Sequence, residues 1–119
     1  MERRNLVLEK SYDFALRVIK MYQHLSNEKK EFILSKQVLR SGTSIGANVE
    51  EAIGGHTKKD FASKLAIAYK EARETSYWLR LLKDTQYINP RAFQSIYKDC
   101  DELLRLLYSI IKTSKTQTA

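Results

Sequence analysis

Few side chains in this sequence could do covalent or metal chemistry, and their spacing argues against it. A hydroxyl nucleophile needs a base within hydrogen-bond reach. Ser41 and Ser44 are the candidate hydroxyls, and no histidine lies near them in sequence, so only a folded neighbour could activate them. His24 and His56 are the two histidines, and neither has Glu three positions before it, the spacing with which helical bundles build di-iron centres. Gly42, Gly46, Gly54 and Gly55 do not have the spacing of a phosphate-cradling loop. Cys100 sits on an apolar helical stripe and reads as a core residue. The sequence therefore assigns no catalytic residue, metal site or cofactor, and the expectation is a protein that is not an enzyme.

Two polar constellations remain. Gln37, Arg40, Ser41, Ser44, Asn48 and Glu51 recur at three- and four-residue steps, one stripe on a helix. Solvated helix faces usually carry Lys and Glu. Short amides and hydroxyls suit an interface where fixed partners satisfy them. Ile67, Glu71, Glu74, Trp78 and Leu81 form a comparable second face further along the chain. The reading is a polar network between helices, in preference to a ligand site: Arg40 pairs with Glu71 or Glu74 beneath Trp78. If buried, such a pair would cost about 3–5 kcal/mol to break from one side. An exposed pair contributes at most about 1 kcal/mol.

The second constellation is basic. Lys59, Lys70, Arg73 and Arg80 fall within roughly a quarter-turn of one helix face, with Tyr77 among them. Cations around an aromatic can hold phosphates and stack a base. They can equally form an ordinary solvated face, with Lys70 and Arg73 paired to nearby carboxylates.

The elements that must position these groups are helical. The chain has 119 residues, 43% hydrophobic, with 4 Gly and 1 Pro, too few turn formers for a β-rich fold. Leu8, Tyr12, Ala15, Ile19 and Tyr22 predict a first helix over residues 3–25. Ser26-Asn27 then cap a second helix over 28–53, with Glu28 and Glu31 in its first turn. Its narrow face is Val38, Gly42, Ile45, Val49 and Ala52, where Gly42 permits close approach of a neighbouring helix. Gly54-Gly55 end it, as a terminus with positive φ would require. Thr57 caps a third helix to about Thr85, whose seam Phe61, Leu65, Ala68, Ala72, Thr75, Leu79 and Leu82 has heptad spacing. Asn89-Pro90 opens a fourth helix to about Lys112, carrying Phe93, Cys100 and Leu107. Short connections force antiparallel neighbours. The expectation is an all-α, antiparallel up-and-down four-helix bundle, one domain over residues 1–119 with a frayed polar tail at 113–119.

Charge bounds the partners. The net charge of +7 favours anionic partners, whether RNA, DNA or an acidic protein surface. One cysteine allows no intrachain disulfide. The first ten residues lack the apolar stretch of a signal peptide, and no run approaches the roughly 20 apolar residues of a membrane span. The chain therefore reads as cytoplasmic, with no membrane partner.

The stretch Leu34 to Ala52, with Arg40-Ser41, Ser44-Ile45, Asn48 and Glu51, resembles the signature of the four-helix proteins encoded in intervening sequences of the 23S ribosomal RNA gene. Asp60-Phe61, Lys64 to Ala68, Glu71-Ala72, Glu74-Thr75 and Tyr77-Trp78-Leu79 resemble its second block. Ala52 stands where that signature usually has Gly. The likeness covers residues 6–110. It implies an antiparallel four-helix bundle assembled as a homopentamer. It also implies kinship with basic retroelement accessory proteins that bind a reverse transcriptase and nucleic acid. It carries over no catalytic residue; Arg40, Asn48, Glu51 and Glu74 match its recurring polar positions. The functional expectation is an oligomer that binds structured RNA or other nucleic acid through Lys59, Lys70, Arg73, Tyr77 and Arg80. The alternative is a scaffold that docks an acidic protein partner such as a reverse transcriptase.

Overall fold

The structure, a computed structural model, describes the backbone of residues 3–118 and the side chains of residues 4–114. Four helices follow one another: α1 (Arg3–Asn27), α2 (Leu34–Ile53), α3 (Lys58–Asp84) and α4 (Pro90–Thr118). Among the described residues there is no strand. Each helix packs on the next, and α4 closes back on α1 by the sparsest of the four seams. The result is the expected up-and-down four-helix bundle, a rod of 48 × 22 × 21 Å.

The seams of α2, α3 and α4 follow the sequence periodicity. Val38, Ile45, Val49 and Ala52 are buried, as are Phe61, Leu65, Ala68, Ala72, Thr75, Leu79 and Leu82 of α3. On α4 the buried set is Phe93, Ile96, Cys100, Leu103, Leu107 and Ile110. Cys100 donates to the Ala72 carbonyl at 3.5 Å, and burial, then Asp101 and Asp99, push its thiol up to about 12.

Helix α1 departs from the expected phase. Its buried face is Val7, Ser11, Phe14, Val18 and Leu25. The series expected there leaves Tyr12 61% and Ile19 37% exposed. The cause lies on α2. A Cβ at Gly42 would stand 2.8 Å from both Val18 methyl carbons, and one at Gly46 would stand 3.3 Å from the Ser11 carbonyl oxygen. Two missing side chains on α2 admit the α1 backbone at Ser11, so the polar but small residue is turned inward. Its hydroxyl is satisfied by the Leu8 carbonyl at 3.1 Å.

The termini also differ from expectation. α1 continues to Asn27, and α2 starts at Leu34. Glu31 is the cap of α2: its buried carboxylate accepts from the N–H groups of Ile33 (3.0 Å), Leu34 (3.0 Å) and Ser35 (2.6 Å). A Glu that satisfies three free N–H groups of a helix start does the work expected of a Ser or Asn. Neither Gly54 nor Gly55 has a positive φ; Gly54 is right-handed at φ −81°. The left-handed positions are Lys30 (φ 55°) and Gln86 (φ 68°). Of the three predicted N-caps, Ser26-Asn27 fails, because both residues lie inside α1 and the Ser26 hydroxyl donates back to the Tyr22 carbonyl at 2.7 Å; the other two are present, Thr57 accepting from the Asp60 N–H at 3.0 Å and Asn89 from the Ala92 N–H at 2.8 Å. α4 runs past Lys112 to Thr118, and of the expected 113–119 tail Ala119 lies outside the described residues.

Burial pushes the Glu31 carboxyl up, but the backbone donors of Leu34, Ser35 and Ile33, with the Ser35 hydroxyl, outweigh it and hold its pKa below the ordinary value of 4.5. A depressed carboxylate stabilises the fold above its unfolded pKa, and that stability is lost as pH falls through the folded value. Glu31→Gln should cost about 1 kcal/mol at neutral pH. It should also flatten the fall of Tm below pH 4.5, the two proteins converging in acid. Thermal unfolding of both proteins from pH 7 to pH 2 tests this; parallel curves would remove the carboxylate from its capping role.

Candidate nucleic-acid interface

The seam between α2 and α3 is fixed by polar contacts. Thr75 Oγ1 lies 2.8 Å from Ser41 Oγ and 2.8 Å from the Glu71 carbonyl oxygen, wholly buried. Further out, the Arg40 guanidinium donates to Glu71 at 3.3 Å and to Glu74. Glu74 also accepts from the Trp78 indole N–H at 3.2 Å. Gln37 Oε1 accepts from Arg40 at 3.4 Å. Gln37, Arg40, Glu71, Glu74 and Trp78 thus meet in one network.

The rest of the stripe does not join it. The Ser44 hydroxyl donates to the Arg40 carbonyl at 2.6 Å, and the Asn48 amide donates to the Ser44 carbonyl at 2.8 Å, both within α2. Glu51 is exposed one turn beyond. The ion pair sits at the surface: the Arg40 side chain is 49% exposed, against 14% for Glu71 and 30% for Glu74. Solvent screens it, so the small value for an exposed pair applies. Of the stripe, Arg40 and Ser41 reach α3 directly and Gln37 joins through Arg40.

The basic sector lies on the outer side of α3. Lys59, Lys70, Arg73, Tyr77 and Arg80 are all exposed. Among the described residues none of these four cations has a carboxylate within ion-pair distance; Glu71 and Glu74 are taken by Arg40. Arg80 stands over the Tyr77 ring at 5.8 Å, and that ring meets Trp78 edge-on at 5.1 Å. From Lys70 to Arg80 the sector spans about 15 Å along the helix.

A feature invisible in linear spacing adjoins it. Arg73 also lines a groove of about 600 Å³ between α3 and α4, with Tyr69, Asp101, Leu104, Arg105 and Tyr108. The Tyr69 and Tyr108 rings stand 6.2 Å apart across the seam. Arg105 pairs with Asp101 one turn away. Tyr69 lies four residues before Arg73 and Tyr108 three after Arg105, so each helix carries an Arg-Tyr pair at contact spacing. Only the fold shows that the two pairs face each other.

His24 and His56 lie near opposite ends of the bundle, and among the described residues no three His, Cys, Asp or Glu side chains converge on a metal-sized site. No described helix is long and apolar enough to cross a membrane.

The family model for the 23S rRNA-intervening sequence protein matches residues 3–109. The chain belongs to that family. Its fold is shared with a protein of unknown function from the S23 ribosomal protein family of Bacteroides thetaiotaomicron, solved by crystallography. The two are 52% identical, the match covers 93% of this chain and 99% of the other, and the TM-score is 0.92. No curated protein matches the chain. In this chain the Arg40–Glu74 pair lies at the surface. Arg40→Ala should therefore cost about 1 kcal/mol or less by chemical denaturation. A loss of about 3–5 kcal/mol would mean that the pair behaves as a buried one.

Proposed function

We propose that this intervening-sequence protein is a non-catalytic, cytoplasmic oligomer that binds structured RNA through the outer face of α3. The observation that carries the reading is the free cationic sector. Four cations project from one exposed helix face, and the acids that could neutralise them are drawn to Arg40 on the neighbouring seam. Phosphate neutralisation by such a face gives salt-dependent binding with little sequence preference. Tyr77, with the Tyr69–Tyr108 groove beside Arg73, adds surface on which an unpaired base can stack. The family name, which ties these proteins to a ribosomal RNA gene, supports an RNA-related role.

Self-assembly is supported by α1. Tyr12, Leu16 and Ile19 are 61%, 45% and 37% exposed at i, i+4 and i+7, an apolar stripe on one outer face. Such a stripe is a candidate interface between copies of the chain. A ring of five is the assembly proposed. The alternative reading, docking of an acidic protein such as a reverse transcriptase, uses the same α3 cations.

Two measurements test the proposal. A labelled structured RNA should bind with an affinity that falls steeply with salt, and Lys70→Glu, Arg73→Glu and Arg80→Glu together should abolish that binding while helicity is kept. Retained affinity would sink the assignment of the face. No binding by the wild type even at low salt would pass the face to a protein partner. Light scattering after size exclusion should give a pentamer for the wild type and a smaller species for Leu16→Glu at unchanged helicity; a wild-type monomer at micromolar concentration would remove the oligomer.

A further inference from the structure

A second cavity shares no residue with the α3 sector. It opens at the α1–α4 seam, at the end of the bundle where α1 finishes and the α3–α4 turn passes over. Its volume is about 1220 Å³, enough for a ligand of several rings and phosphates. Basic side chains reach it from three elements. Arg17, Lys20 and His24 come from one side of α1, Lys29 from the loop after it, and Lys83 from the last turn of α3. Asp84 is the one carboxylate in the lining.

These basic groups are not equally committed. Arg17 is held by Asp99 at 2.6 Å and by Ser95, and Lys83 lies 3.6 Å from Asp84 and over the Phe93 ring. Lys20, His24 and Lys29 have no side-chain hydrogen bond or ion pair among the described residues. A positive rim around a recess focuses potential and attracts anions.

The lining between these basic groups is apolar. Met21, Ile88, Pro90 and Ile96 line it, with the Tyr87 ring beside them. The amides of Gln86 and Asn89 lie in the same wall. Asn89 spends its carbonyl oxygen on the Ala92 N–H, which leaves its amide N–H₂ to donate. An apolar anion such as a fatty acid would use the recess and the rim but have no use for two amides. A nucleotide uses all three: phosphates on the lysines, a planar base against Tyr87 and Met21, and base-edge groups on the amides.

The turns that build the cavity are strained. Among the described residues, Lys30 and Gln86 are the non-glycine positions with positive φ, and they adjoin Lys29 and Tyr87, both in the lining. Long side chains in that conformation are disfavoured where glycine would serve, and such strain gathers at ligand sites. We infer that this cleft binds a phosphorylated nucleotide, with Lys20, His24 and Lys29 on the phosphates and Tyr87, Gln86 and Asn89 on the base. The nucleotide is either free or the 5′-phosphorylated end of an RNA strand.

The test uses the full chain and isothermal titration at low salt. ATP and AMP are the free probes; a short single-stranded RNA with a 5′-phosphate or a 5′-hydroxyl is the strand probe. Strand titrations use the Lys70→Glu, Arg73→Glu, Arg80→Glu protein, so that the α3 face does not contribute. Binding of ATP or AMP supports the site and gives it a free ligand. Binding restricted to the 5′-phosphorylated strand supports the site and gives it an RNA end. In either case Lys20→Glu with Lys29→Glu should weaken binding at least tenfold, and Tyr87→Ala should weaken it severalfold with the melting curve retained. Three results would overturn the inference: no binding of any probe to protein with Lys20 and Lys29 intact, affinity indifferent to the Lys20/Lys29 change, or tripolyphosphate binding as tightly as ATP. The α3 face is tested separately by its own reversal, so either site can fail alone.

Discussion

The close approach of α1 to α2 governs the rest of the molecule. Gly42 and Gly46 leave no Cβ to hold away the Val18 side chain and the Ser11 backbone of α1. That contact fixes the rotation of α1 about its own axis. With the rotation set, Val7, Phe14, Val18 and Leu25 must face the core. The apolar series one residue out of phase, Leu8, Tyr12, Ala15 and Ile19, is then left at or near the surface. Two absent side chains on one helix thus decide which face of another is available for contact with a further molecule.

A similar division of labour orders the charges. Acids on the α2-facing side of α3 are drawn to Arg40, and acids on α4 are drawn to Lys10 and Arg17 of α1. These pairs are surface pairs and contribute modestly to stability. Their larger effect is to remove carboxylates from the neighbourhood of α3's outer cations and of Lys20. The positive potential of the protein is concentrated by where its negative charges are spent.

Much of this was legible in the sequence where one physical signal dominated. The heptad seam of α3 was readable because Phe61, Leu65, Ala68, Ala72, Leu79 and Leu82 keep one spacing along the whole helix, and the caps of α3 and α4 followed from Thr57 and Asn89 at the positions where free N–H groups need acceptors. The Arg40–Glu74–Trp78 meeting was readable because helical spacing places Glu74 and Trp78 one turn apart. On α1 two apolar series compete, and periodicity cannot choose between them; the choice is made by packing against glycines on another helix. Glu31 was read as a first-turn acid, because a long carboxylate curling back to cap from outside the helix has no spacing signature of its own. Gly54-Gly55 were given the left-handed turn by composition, yet Lys30 and Gln86 hold it, where backbone bonds from Glu31 N–H to the Leu25 carbonyl and from Tyr87 N–H to the Leu82 carbonyl close the ends of α1 and α3. The Tyr69–Tyr108 groove and the cleft at the α1–α4 seam unite residues far apart in sequence, so neither had a linear signal.

The buried thiol has a consequence of a different kind. Cys100 lies on the α4 seam with its sulfur turned to an α3 carbonyl and its proton held tightly. In the closed bundle it is neither a nucleophile nor an accessible target for oxidants. It becomes reactive only when α4 lifts from α3, and it is the one thiol in the chain. The molecule therefore carries its own clock for the breathing of that seam: the rate at which a thiol reagent reaches Cys100 counts openings of the helix pair that forms the Arg73 groove.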